Sequence, residues 1–169
     1  SSSAFNLALT CTPPPTPPAN DLICNAAPIT CGQTVNGTTV NATPGGTGEG
    51  QACGGFTQTQ PGVWYSIVGG GVNTVASLCG TAWDSRIQVF TGANCSAVNC
   101  VGGNDNNGPL CAGNAASYAW LAANGQTYYI LISGATATTS AFSLSIACQT
   151  PCTATCNGGP APANDACSG

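Results

Sequence analysis

The chain has 169 residues and a net charge of −4, but only 4% of its residues are charged, against roughly a quarter in an ordinary protein. Arg86 is its single formal cation and histidine is absent. This excludes the clustered Lys and Arg that nucleic acid and anionic membrane need, and it leaves a Ser or Cys nucleophile without its usual base.

The predicted elements follow in chain order. Ser3-Ala4-Phe5-Asn6-Leu7-Ala8-Leu9-Thr10-Cys11 alternates apolar Phe5, Leu7 and Leu9 with small or polar residues, the period of a half-buried strand. The same pattern returns 137 positions later as Ser140-Ala141-Phe142-Ser143-Leu144-Ser145-Ile146-Ala147-Cys148. Thr12-Pro13-Pro14-Pro15-Thr16-Pro17-Pro18 favours polyproline II, a semi-rigid extended spacer. Pro18-Ala19-Asn20-Asp21 then returns 144 positions later as Pro162-Ala163-Asn164-Asp165. The implied organisation is a terminal strand at 1–11 belonging to, or donated to, a preceding unit, followed by a linker at 12–19. One complete unit spans 20–148, a second linker 149–163, and the start of a following unit 164–169. A period near 140 suits whole domains in tandem rather than a solenoid.

Within the unit, strands are expected at Gly62 to Val68, Val72 to Cys79, Arg86 to Phe90, Ser117 to Ala122, Thr127 to Ile132 and Phe142 to Ile146. The run Thr127-Tyr128-Tyr129-Ile130-Leu131-Ile132 is apolar on both faces, as a central strand would be. Gly69-Gly70-Gly71, Gly102-Gly103 and Asn106-Asn107-Gly108-Pro109 read as breakers. The fold class expected is all-β: a two-sheet antiparallel sandwich or jelly roll, with Trp64, Trp83 and Trp120 as its bulky members.

Twelve cysteines without a CxxC pair or any histidine point to disulfides rather than metal, and so to an oxidising compartment. No run approaches the ~20 apolar residues of a membrane span. No charged-then-apolar leader is present, so the chain reads as a mature or excised segment of a secreted, extracellular protein. Short spacing favours Cys95–Cys100 and Cys152–Cys156 as local loops. The repeat makes Cys11 equivalent to Cys148 and Cys24 equivalent to Cys167, which suggests Cys11–Cys24 and Cys148–Cys167 as staples between units.

The series Asn20-Asp21 to Ile29, Val35-Asn36-Gly37-Thr38-Thr39, Gly62-Val63-Trp64-Tyr65-Ser66-Ile67, Asp84-Ser85-Arg86-Ile87-Gln88-Val89-Phe90, Gly103-Asn104-Asp105 and Gly125 to Ile132 resembles the bacterial pre-peptidase C-terminal domain and its cysteine-rich relatives. The resemblance implies a jelly-roll-like sandwich, often in tandem, appended to secreted enzymes and surface proteins. Some relatives bind calcium or assist substrate attachment. Here Asp84, Asn104 and Asp105 are the oxygen donors in question, although the chain is poor in acidic residues.

Catalysis is not expected. A carboxylate pair for glycoside hydrolysis could be drawn from Glu49, Asp84 and Asp105, but Glu49 lies in a Gly-rich stretch. Asp84 reads better as a turn cap or a partner of Arg86, and Gly103 to Gly108 as a turn. Sequons at Asn36, Asn41 and Asn94 are candidate glycan sites, as are Thr12, Thr16 and hydroxylated Pro13, Pro14 and Pro15 in the linker. No cofactor is expected. The leading reading is a structural unit of an extracellular filament, partnered by copies of itself through Phe5, Leu7 and Leu9. The rivals are a module binding polysaccharide or a cell surface through exposed Trp83 or Tyr118, and an accessory domain of a secreted hydrolase.

Overall fold

Period-two apolar spacing becomes strand wherever Gly- and Asn-rich turns bound it. The computed structural model describes residues 6–44 and 52–149. A 3-10 turn (Ile23–Asn25) leads into β1 (Ala27–Pro28), β2 (Thr34–Thr38), β3 (Gly62–Val68) and β4 (Val72–Ser77). Then come β5 (Ser85–Asn94), β6 (Ala97–Asn104), β7 (Ser117–Ala122), β8 (Thr127–Gly134) and β9 (Ala141–Gln149). There is no α-helix among the described residues.

The strands form two sheets, β1-β3-β8-β5-β6 and β2-β9-β4-β7. All pairings are antiparallel except the short parallel contact of β1 with β3. The expected two-sheet sandwich is therefore what forms. Its interior is built from Val63, Tyr65 and Ile67 of β3, Ile87 and Val89 of β5 and Ile130 and Ile132 of β8. These face Ala76 of β4, Trp120 of β7 and Phe142, Leu144 and Ile146 of β9.

A second, smaller cluster gathers Ile23, Cys53, Trp64, Phe90 and Leu131. The rings of Trp64 and Phe90 are 5.6 Å apart within it. Because residues of one strand alternate between faces, Leu131 joins this cluster while Ile130 and Ile132 join the main one. That explains why the Thr127 to Ile132 run is apolar on both sides.

The glycine-marked break at Gly102-Gly103 is corrected: both residues lie inside β6, paired with Val89 and Gln88. A Cβ on Gly102 would collide with the Tyr118 hydroxyl, and one on Gly103 would sit 2.5 Å from the Ile87 carbonyl. The glycines here serve close approach between backbone and neighbours rather than a turn.

Four disulfides lock the sandwich: Cys24–Cys95, Cys31–Cys148, Cys53–Cys100 and Cys79–Cys111. They correct the pairings inferred from spacing. Cys95 and Cys100 are not joined: Cys95 sits in the turn before β6 and bonds Cys24, while Cys100 lies within β6 and bonds Cys53. Cys11 does not bond Cys24, which is taken by Cys95; it is a free, exposed thiol. Cys148 bonds Cys31 and so is not available to Cys167. Cys167 and the Cys152–Cys156 pair lie outside the described residues.

Candidate functional site

The duplicated strand pattern leads to a specific place in the fold. β9 is an interior strand of the four-stranded sheet, hydrogen-bonded to β2 on one side and β4 on the other. Phe142, Leu144 and Ile146 point inward and are buried, while Ala141, Ser143 and Ala147 face out. Phe142 meets Tyr65 of the opposite sheet edge-on at 6.2 Å. The Ile146 amide donates to the Gln33 carbonyl at 2.9 Å, and the Ile146 carbonyl accepts from the Gly32 amide at 2.8 Å. Cys31–Cys148 closes the same corner covalently.

The first copy of the pattern has no such seat. Asn6 to Cys11 join neither sheet, and Leu7 and Leu9 are 75% and 79% exposed. Each leaves on the order of 2 kcal/mol of hydrophobic free energy unused. Phe5 lies outside the described residues, and Thr12 to Pro17 are exposed.

The spacer is anchored where it meets the sandwich, which the sequence showed only as the repeated Pro-Ala-Asn-Asp. The Asn20 side-chain amide donates to the Trp64 carbonyl at 2.9 Å, and the Trp64 amide donates to the Asn20 carbonyl at 2.8 Å. Asp21 is a buried carboxylate: its Oδ1 accepts from the Thr43 amide at 2.7 Å and its Oδ2 from the Thr43 hydroxyl at 2.8 Å. The two residues fix the direction in which the chain enters the unit.

The acidic candidates gather around the lone cation. Arg86 pairs with Asp105 at 3.5 Å and lies 4.3 Å from the centroid of the Phe56 ring. Burial, and then the neighbouring Asp105, holds the Asp84 carboxyl above its usual range, with Arg86 acting in the opposite sense. A hydrogen bond to Asp105 adds to the rise. Asp84 Oδ1, Asn104 Oδ1 and Asp105 Oδ1 are buried without partners. The Arg86 guanidinium, paired with Asp105, already places a cation at this cluster, and no group of three or more His, Cys, Asp or Glu suited to a metal occurs among the described residues. The donors present do not fit a calcium ion.

The aromatic platform is corrected as well. Trp83 packs against the core and its Nε1 donates to the Ala141 carbonyl at 2.9 Å. Tyr118 is partly buried, stacks on Trp120 with centroids 6.3 Å apart, and donates to the Val101 carbonyl at 3.4 Å. Both rings are half-buried and packed against the core rather than standing out from the surface. The sequon residues Asn36, Asn41 and Asn94 are exposed. Asn36 lies on the outer side of edge strand β2, and Asn94 Oδ1 accepts from the Ser96 amide at 3.0 Å.

Together these features define a disulfide-locked, all-β two-sheet sandwich. No protein-family model matches the chain, and no curated protein is similar to it. Among solved structures it is similar to the pre-peptidase C-terminal domain of a collagenase from Bacillus anthracis, at 15% identity and a TM-score of 0.45 over 72% of this chain and 93% of that one. It is also similar to PliG of Aeromonas hydrophila, a periplasmic inhibitor of g-type lysozyme, at 16% identity and a TM-score of 0.43 over 73% of this chain and 99% of that one.

Proposed function

We propose that the chain is a structural, non-enzymatic unit of a secreted linear array, joined end to end with copies of itself. The observation that carries this reading is the duplicate of β9. Segment 3–11 repeats the strand's inward residues and its cysteine, while among the described residues the seat of that shape is already filled by Ala141–Gln149. The disulfides support an oxidising, extracellular setting. Exposed sequons and an exposed Thr/Pro spacer support attached sugars on a surface that has almost no charge to keep it soluble.

Two architectures would use the duplicate strand. In a continuous tandem polypeptide, segment 3–11 is the last strand of the preceding unit; in a polymer of separate subunits it is donated across the boundary. Reducing, denaturing electrophoresis of the native material distinguishes them, since a band near one unit means donation and a far larger band means a continuous chain. Single-unit particles under native conditions would remove both.

A further inference from the structure

We infer that the proline spacer does not hang free between units: residues 12–17 lie in an apolar groove of the preceding unit, with Pro14 and Pro17 turned into it. This rests on the array reading in its continuous form and adds a contact that fixes how successive units are set.

The groove is present in the described unit. Pro28, Ile29, Cys31, Ile67, Val68 and Thr127 line a mostly apolar cleft of about 420 Å³. It opens because β1 is short. β1 pairs with β3 only at Tyr65 and Ser66, and the Ile29 amide adds one bond to the Ser66 carbonyl at 2.9 Å. Ile67 and Val68 run on past that cover, and Val68 is left exposed.

The last strand delivers the spacer to this place. Cys148, one residue short of the end of β9, is bonded to Cys31 on the groove's wall, with Cα atoms 5.5 Å apart. Cys11 holds the corresponding position in segment 3–11, and Thr12 follows it directly. A chain that leaves the preceding unit's last strand at Cys11 therefore enters the spacer at the mouth of that unit's groove. The far end of the same spacer is held in its own unit by Asn20 and Asp21.

The spacer suits such a groove. Polyproline II is already extended and ordered before it docks, and proline rings bury apolar area without bringing an N–H to desolvate. With three residues per turn, Thr12 and Pro15 share one face, Pro13 and Thr16 a second, and Pro14 and Pro17 the third. Only the third carries no threonine. It meets the groove, and both threonines stay in solvent, where sugars are accommodated.

The test is carbene footprinting of the native array, read by mass spectrometry after digestion, with the 169-residue chain alone as reference. Residues 12–17 are exposed in the chain alone, so Pro13, Pro14, Pro15 and Pro17 should label alike there. In the array, labelling of Pro14 and Pro17 is expected to fall several-fold relative to Pro13 and Pro15, and Val68 to fall with them. Val68→Asp puts a carboxylate on the groove wall at a side chain that is exposed in its own unit. Its arrays are expected to keep the parent's unit melting temperature while Pro14 and Pro17 label like their neighbours. Equal labelling of the four prolines in the parent array overturns the inference and leaves the array reading standing. So does protection of Val68 alone, which means that something else covers the groove, or protection of Pro14 and Pro17 that survives Val68→Asp. Single-unit particles overturn both.

Discussion

Tyr65 of β3 and Phe142 of β9 meet edge to face across the interior, with centroids 6.2 Å apart and planes at 80°. This pair, together with buried Leu144 and Ile146, seats β9 against the opposite sheet. Truncating Phe142 to Ala removes the ring and leaves a cavity that neighbouring strands cannot close, so a loss of about 3–5 kcal/mol is expected. Urea unfolding followed by tryptophan fluorescence measures it, and a loss under about 1 kcal/mol would mean that β9 is seated by its backbone alone.

The first copy of the pattern is expected to behave in the opposite way. Leu7→Asp with Leu9→Asp touches nothing inside the unit, where both side chains are exposed, so unit stability is expected to move by no more than about 0.5 kcal/mol. The cost appears only in assembly, because a buried, unpaired carboxylate is strongly unfavourable in the seat that Leu144 and Ile146 occupy in this unit. Light scattering of the variant should give single units or short runs. Full-length arrays from the double variant would show that these leucines are not the joint.

Asp21 carries the entry of the spacer into the sandwich. Its two oxygens accept the Thr43 amide and hydroxyl, and hydrogen bonds to a charged group are worth roughly 1.5–3 kcal/mol each. Asp21→Ala leaves the Thr43 amide without that acceptor in a part-buried site. A destabilisation of about 2–4 kcal/mol is expected, together with faster hydrogen exchange at Thr43. An unchanged exchange rate would place the anchor at Asn20 instead.

Alternation made the strands at Gly62 to Val68, Ser117 to Ala122 and Phe142 to Ile146 readable from sequence, since each buries a face. β6 escaped because its Gly102 and Gly103 read as a turn; what they serve is the approach of Tyr118 and of the Ile87 backbone, which is long-range information. The disulfides failed for the same reason. Cys31 and Cys148 are 117 residues apart in the chain and adjacent only because a loop folds over the end of β9. The ion pair was half legible: Arg86 has its partner in Asp105, across the β5–β6 hairpin, rather than only the nearby Asp84. Duplication, by contrast, is visible in the sequence without any fold at all.

Disulfide loop length gives a graded expectation. Cys31–Cys148 closes a separation of 117 residues and Cys79–Cys111 one of 32. In the chain-entropy account, the longer loop constrains the unfolded chain more, by about 1 kcal/mol for this ratio of lengths. Replacing each pair by serines and comparing denaturant midpoints is expected to rank Cys31–Cys148 as the costlier loss, each falling within roughly 2–5 kcal/mol. The reverse order would mean that local packing at Cys79–Cys111 outweighs chain entropy.

Asp84 sets a pH dependence whose sign can be worked out. Its carboxyl is held above the ordinary 3.8, so between that value and its folded-state value the native chain binds more proton than the unfolded one. Stability from this group is therefore fully present below the ordinary carboxylate range and falls as pH rises through the folded value. The causes are burial first and then the Asp105 carboxylate, offset in part by Arg86. Asp84→Asn keeps the backbone carbonyl that accepts from the Ala135 amide at 3.0 Å and removes only the titration. The variant should match the parent at pH 3 and melt at a higher temperature than the parent at pH 7. Thermal melts across that range decide it, and a variant less stable than the parent at pH 7 would show that Arg86 holds Asp84 more strongly than burial and Asp105 oppose it.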